Sequence, residues 1–75
     1  MGECVIPMRS RTEAEKGRRA ANSHKILATI VSVDPTLTKH GCSVGLRVSC
    51  QNAFYLTKIF DEKNISHGDI IGRRI

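Results

Sequence analysis

Residues 43–49 have the most regular pattern in the chain, and this pattern constrains the fold more than any other feature. Val44, Leu46 and Val48 are apolar and alternate with small or polar residues. A period of two predicts a β-strand with one face buried in a core and the other face open. The open face of this strand is expected to carry Ser43, Gly45, Arg47 and Ser49.

The chain before this strand predicts a strand, a helix and a second strand. The apolar residues 4–8 predict the first strand. Ser10 and Glu13 have the spacing of a capping box, which predicts a helix over about residues 11–23. The β-branched run at residues 26–33 predicts the second strand.

The first helix and the loop at 34–41 each add a constraint. Ala14, Gly17 and Ala21 follow one another at near-helical spacing, so one face of the helix carries small side chains and can pack closely on a sheet.

The loop at 34–41 is long for a connection between neighbouring strands, which usually takes 2–5 residues. Loops of that size on small domains are often functional.

The chain after residue 49 predicts a helix and a last strand. Asn52 is expected to cap the helix, and Asn64 is expected to end it, because asparagine tolerates the left-handed backbone of a helix end. The last strand is predicted over residues 70–75. The apolar positions of the helix include Ala53, Leu56, Ile59 and Phe60.

The predicted order of elements is strand, helix, strand, strand, helix, strand. Two βαβ units joined by a loop form the ferredoxin-like arrangement, an α+β sandwich of split β-α-β-β-α-β order. We therefore predict one domain over residues 1–75. Its four-stranded antiparallel sheet should have the order 4-1-3-2, with both helices on one face.

Charge and hydropathy limit the partners and the compartment. Twelve basic and seven acidic residues give a net charge of +5, which fits a solvated helix face or an anionic partner. No apolar run approaches the roughly 20 residues that cross a bilayer, and residues 1–8 lack a secretory signal pattern. We expect a cytoplasmic protein without membrane contact. Its exposed sheet edges leave room for a homodimer.

The chain has three cysteines, Cys4, Cys42 and Cys50. An odd count without a secretory signal argues against a disulfide framework, so Cys4 and Cys50 are expected to be small buried hydrophobic residues. The topology should bring these two together at the sheet end opposite Cys42. No C-x-x-C pair occurs and the histidines are scattered, so neither a metal site nor a cofactor is expected.

Two common uses of this fold do not fit the residues. RNA-recognition domains stack bases on aromatic side chains of the central strands, but Phe54, Tyr55 and Phe60 all fall on the second helix. Any nucleic-acid binding should therefore be weak and sensitive to salt. A metallochaperone needs two cysteines after the first strand, where this chain has residues 7–11, Pro-Met-Arg-Ser-Arg.

The segment 41–46, Gly-Cys-Ser-Val-Gly-Leu, resembles the signature of the Se/S carrier protein-like family, as do Asp34-Pro35 and Thr38 before it. These are short bacterial proteins that are classed as a domain of unknown function. The resemblance extends to the opening strand and helix and so covers nearly the whole chain. Many family members have glycine directly after the cysteine, whereas Ser43 and Val44 come before Gly45 here.

The resemblance implies that Cys42 carries a sulfur or selenium atom as a persulfide or selenosulfide. The protein would then be a carrier between a donor protein and an acceptor protein, and not an enzyme. Gly41, Ser43 and Gly45 flank the cysteine with little bulk, which leaves room for the active site of a partner. The alternative is a non-catalytic interaction or regulatory module of the same fold, in which Cys42 is an unreactive thiol.

The topology gives Cys42 a predicted environment. The first strand runs toward the start of the first helix, and the third strand runs the opposite way. Cys42 should therefore lie near the amino end of that helix, close to Arg9, Ser10 and Arg11. Helix amides and arginines favour a thiolate, so the pKa of this thiol is expected to lie below the usual value of about 8.5.

Overall fold

The computed structural model describes residues 2–34, 36 and 43–72. The strands form one antiparallel sheet in the order β2-β3-β1-β4. Read from its other edge, this is the predicted order 4-1-3-2, and the α+β class is confirmed as well. The elements are β1 (Glu3–Met8), α1 (Arg11–Ser23), β2 (Thr29–Ser32), β3 (Val44–Ser49), α2 (Cys50–Glu62) and β4 (Ile71–Gly72).

Both helices cover one face of the sheet, and the core lies between them and the central strands. Cys4, Ile6 and Met8 of β1 pack in one cluster with Leu46 and Val48 of β3. The helices contribute Ala14, Ala20 and Ala21 from α1, and Ala53, Leu56, Ile59 and Phe60 from α2. The alternation in residues 43–49 therefore predicted the buried face of β3 correctly.

Helix α1 lies close to the sheet because Gly17 has no side chain. A Cβ atom at this position would lie 2.8 Å from Cδ1 of Leu46 and 3.0 Å from Cζ of Phe60. Met8 Cε would be 3.1 Å away. The prediction of a small-residue face on this helix is thus explained by direct contact with the core.

Of three predictions for helix ends, two are confirmed and one is wrong. Ser10 caps α1 as expected, since its side-chain oxygen accepts a hydrogen bond from the Glu13 N–H at 3.2 Å. Asn64 follows α2 with a positive φ of 59°, also as expected. The capping role given to Asn52 is wrong, because α2 begins at Cys50 directly after β3 and Ser49 is its N-cap residue.

Two strands are shorter than predicted. β2 covers Thr29–Ser32, whereas residues 26–28 are not in a strand. Ile26 and Ala28 are nevertheless buried, so the apolar run reflects burial and not only strand pairing. In the described part of the last predicted strand, β4 covers Ile71–Gly72, and residues 73–75 lie outside the described residues.

The helix-free face of the sheet is more apolar than the sequence pattern suggests. Gly45 lies between two valines, since a Cβ atom there would be 2.9 Å from Cγ2 of Val33 and 2.9 Å from Cγ1 of Val5. Arg47 is on the same face and pairs with Glu3, with Nε 3.7 Å from Oε2. Neither helix in the described part of the chain is long and apolar enough to span a membrane.

Candidate thiol site

The first helix begins at one end of the sheet, where β1 ends and β3 starts. Met8 and Val44 are the last paired residues of these two strands at this end. A cleft of about 440 Å³ opens beside this pair. Its lining comes from three segments of the chain, namely Arg9, Ser10 and Arg11, then Ile30, Val31 and Ser32 of β2, then Ser43 and Val44.

This cleft, which we call the arginine cleft, is positively charged. Arg9 and Arg11 are exposed, and neither forms an ion pair within the described residues. The hydrogen bond from Arg18 lowers the pKa of the Glu15 carboxyl, and the charge of Arg11 adds to this effect. The amino end of α1 contributes a partial positive charge to the same place.

The chain leaves and re-enters the sheet next to the arginine cleft. The Val33 N–H donates a hydrogen bond to the Ser43 carbonyl at 2.9 Å, which brings the two ends of segment 34–42 together. Asp34 fixes the start of this segment, because its Oδ1 accepts hydrogen bonds from the Thr36 N–H at 3.0 Å and from the Thr36 hydroxyl at 2.9 Å. These bonds hold the pKa of Asp34 below its usual value.

The predicted site residues fall into three groups. Arg9, Ser10, Arg11 and Ser43 line the same cleft. Gly45 is elsewhere, on the helix-free face between the two valines. The proposed carrier residue, Cys42, and the neighbouring Gly41 lie outside the described residues.

The other two cysteines form a disulfide at the opposite end of the sheet. The Cα atoms of Cys4 and Cys50 are 4.9 Å apart, so their predicted proximity is confirmed. The expectation of two unbonded hydrophobic cysteines is wrong. The reason is geometric, since Glu3 pairs with Ser49 in the antiparallel ladder and α2 starts at the next residue, which brings Cys50 beside the start of β1.

The two bonded cysteines have different surroundings. Cys4 is 7% exposed and packs in the core. Cys50 is only partly buried, and it is the first residue of α2. Its backbone N–H donates a hydrogen bond to the Gly2 carbonyl at 3.2 Å. The sequence carried a signal for this arrangement, because Cys50 directly follows the predicted strand, but the cysteine count outweighed it.

A polar cluster next to the arginine cleft ties the chain after α2 to both helices. His67 places Nε2 2.8 Å from Oδ1 of Asp61 and Nδ1 2.9 Å from the Gly68 carbonyl. The Glu13 carboxylate accepts a long hydrogen bond of 3.5 Å from the Ser66 N–H. His67 also packs beside the buried Phe60 ring, so we assign the cluster a structural role.

Comparisons with protein-family models, with curated proteins and with solved structures give no match to this chain. The resemblance of segment 41–46 to the Se/S carrier protein-like family therefore stays a prediction.

Proposed function

We propose that this protein carries a sulfur or selenium atom on Cys42, as a persulfide or a selenosulfide. The observation that supports the proposal is the position of Ser43, the next residue in the chain, in the cleft formed by Arg9, Ser10 and Arg11. Two guanidinium groups and the amino end of a helix favour an anionic sulfur over a neutral one. A sulfur carrier requires such an anion when it is empty, because the thiolate is the group that attacks the donor.

The loading step is a sulfur transfer without net oxidation. The Cys42 thiolate attacks the terminal sulfur of a donor persulfide, R–S–SH. A new S–S bond forms on Cys42, the donor S–S bond breaks, and the donor leaves as the thiolate R–S⁻. The terminal sulfur keeps its proton throughout. A selenium donor, R–S–SeH, reacts in the same way at its terminal atom.

The unloading step repeats this exchange with an acceptor. A thiolate of the acceptor protein attacks the terminal sulfur on Cys42, takes it with its proton, and releases the Cys42 thiolate. The chain itself needs no general base, so it acts as a carrier and not as an enzyme. We place the function in the cytoplasm, with a donor and an acceptor protein as partners.

The direct test is sulfur loading followed by mass spectrometry of the intact protein. Wild-type protein with the Cys4–Cys50 bond intact is incubated with cysteine persulfide at neutral pH. We expect the added mass of one sulfur atom on Cys42, and its loss when a thiol acceptor is added. The Cys42→Ser variant should stay unloaded.

Charge-matched variants separate the arginine cleft from the general basic charge. Arg9→Gln with Arg11→Gln should slow the loading severalfold. The control is Arg19→Gln with Lys63→Gln, which removes the same two charges from a different groove beside Lys16. A wild-type protein that takes up no sulfur, or a Cys42→Ser variant that takes up as much as the wild type, would contradict the carrier proposal.

A protein-interaction or regulatory module is the second candidate, and exposed apolar side chains favour it. Leu27 is 85% exposed, Phe54 is 72% exposed and Tyr55 is 50% exposed. Side chains of this size are common at protein interfaces. This candidate predicts that Cys42→Ser leaves partner binding unchanged, whereas Phe54→Ser weakens it. Self-association measured by sedimentation would identify a second copy of the chain as that partner.

A further inference from the structure

The Cys4–Cys50 disulfide joins one enclosed cysteine to one that reaches the surface. Cys4 lies in the central strand β1, is 7% exposed and packs against the core. Cys50 is partly buried and begins the helix α2. Cys50 also packs against the edge of the core, but it is the more exposed of the two, so an external thiol or disulfide can approach it more readily than Cys4. Thiol–disulfide exchange requires this access, because the attacking sulfur must contact the sulfur with which it reacts.

The start of α2 also favours a thiolate on Cys50 when the bond is open. The first backbone N–H groups of a helix have no partner within the helix and carry partial positive charge. Ser49 is the N-cap residue, but its side chain makes no capping hydrogen bond, and the first turn contains no acidic residue. A cysteine at a helix amino end has more thiolate character than a free cysteine. Cys50 combines this position with exposure and with a bonded partner.

We infer that Cys4 and Cys50 form a thiol–disulfide exchange site, in which Cys50 reacts with external thiols and disulfides and Cys4 closes the bond. This site is separate from the arginine cleft and does not depend on the carrier function of Cys42. Its substrates are disulfides that can approach a helix end, either small disulfides or exposed disulfides of other proteins.

The exchange is balanced in two steps. In the reduced protein, the Cys50 thiolate attacks one sulfur of an external disulfide, R–S–S–R. A mixed disulfide forms on Cys50, and R–S⁻ leaves and takes up a proton. Cys4 then loses its proton and attacks the Cys50 sulfur, which forms the Cys4–Cys50 bond and releases the second R–S⁻. Two protein thiols are oxidised and one external disulfide is reduced to two thiols.

The reverse reaction uses an external thiol as the reductant. The thiolate attacks the Cys50 sulfur, and Cys4 leaves and takes up a proton. A second thiol then attacks the external sulfur of the mixed disulfide and frees Cys50. The oxidation state of the pair can therefore respond to the ratio of thiols to disulfides around the protein. The enclosed Cys4 limits side reactions of the mixed-disulfide intermediate.

The test uses oxidised glutathione as the probe and Cys42→Ser as the background, so that the carrier cysteine does not contribute. Reduced Cys42→Ser protein should form the Cys4–Cys50 bond through a transient glutathione adduct. When Cys4→Ser is combined with Cys42→Ser, the protein should accumulate a stable glutathione adduct on Cys50. The matched variant Cys50→Ser leaves Cys4 alone and should react at least about tenfold more slowly, because an enclosed cysteine is hard to reach.

A second measurement does not depend on how these variants fold. Reduced Cys42→Ser protein is alkylated for a short time, and the peptides are mapped by mass spectrometry. Cys50 should be labelled first, and faster than in the denatured chain at pH 7. The inference is overturned if Cys4 is labelled as fast as Cys50, or if Cys50 reacts no faster in the folded protein than in the denatured one. The bond would then be a structural cross-link alone.

Discussion

The two ends of the sheet differ in how each helix begins. At one end, α1 follows β1 after a short turn, Ser10 caps its first turn, and Arg9 and Arg11 stand free of ion pairs among the described residues. At the other end, α2 follows β3 with no turn, and its N-cap side chain makes no capping bond. A disulfide fixes this second start to β1.

The two helix starts therefore differ in what surrounds them. The capped end has a side-chain hydrogen bond from Ser10 and carries the exposed Arg9 and Arg11 in the cleft that Ser43 also lines. At the other end Ser49 makes no side-chain capping bond, and a cysteine is the first residue of the helix. The fold repeats a βαβ order, and we propose a different sulfur chemistry for each of its two ends.

Opening the disulfide should have the largest effect on stability. The bond links residues 46 positions apart, and a cross-link over a loop of that length stabilises a domain by about 2–4 kcal/mol. We expect dithiothreitol to lower the free energy of unfolding by this amount in urea titrations. The exposed Arg9→Gln, at the opposite end, should change it by less than about 0.5 kcal/mol. Equal unfolding curves with and without reductant would show that the bond does not hold this end together.

Adding a side chain at Gly17 should have the next largest effect. Alanine would normally strengthen a helix, but here the new methyl group would contact Leu46 and Phe60 at 3.0 Å or less. We expect Gly17→Ala to lower the free energy of unfolding by about 1–2 kcal/mol through overpacking. Exposed Asn22→Ala in the same helix should raise it slightly through helix propensity. Stabilisation by Gly17→Ala would show that α1 can move away from the sheet.

A matched pair of serine substitutions tests the comparison of the helix starts. Ser10→Ala removes the capping bond of α1 and should lower the free energy of unfolding by about 1 kcal/mol. Ser49→Ala removes no such bond and should lower it by less than about 0.5 kcal/mol. Thermal and urea unfolding of both variants give the comparison. If both substitutions lower the free energy of unfolding by the same amount, the two helix starts do not differ in capping.

The smallest expected effect concerns Asp34 at the start of the segment beside the arginine cleft. The hydrogen bonds from the N–H and hydroxyl groups of Thr36 lower the pKa of this carboxyl from 3.8. Because the pKa of Asp34 is lower in the folded state, its carboxylate stabilises the turn at pH values above the pKa of the unfolded state. This stabilisation is lost as the pH falls through the pKa of the folded state. A carbon-detected NMR titration should show Asp34 titrating below 3.8, and Thr36→Val should raise its pKa. Titration at 3.8 or above would show that these bonds are not formed in solution.

The central strands were predictable because their pattern had one interpretation. The alternation around Leu46 fixed which face of β3 is buried, and the antiparallel arrangement placed Cys4 near Cys50. The capping box at Ser10 identified the start of α1 for a similar reason, since a local side-chain bond determines that end. These features depend on neighbours in sequence or on strand direction alone.

The remaining errors come from competition between local signals. Asn52 is a good capping residue, but β3 passes straight into α2, and the helix begins two residues earlier, at Cys50. Ile26 looks like part of a strand because burial in a connecting segment selects the same apolar residues as burial in a sheet. The disulfide was missed because a count of cysteines ignores where the fold places them.

We predict that Cys42, which precedes Ser43 of the arginine cleft in the chain, is a reactive thiolate. The most direct measurement is the pH dependence of its alkylation rate in unreduced protein, where Cys42 is the one cysteine of the sequence outside the disulfide. We predict a midpoint below the ordinary value of about 8.5. Arg9→Gln with Arg11→Gln should shift it upward, and the control Arg19→Gln with Lys63→Gln should leave it unchanged. A midpoint at or above the ordinary value, or one that stays the same when the two arginines are replaced, would contradict the carrier proposal.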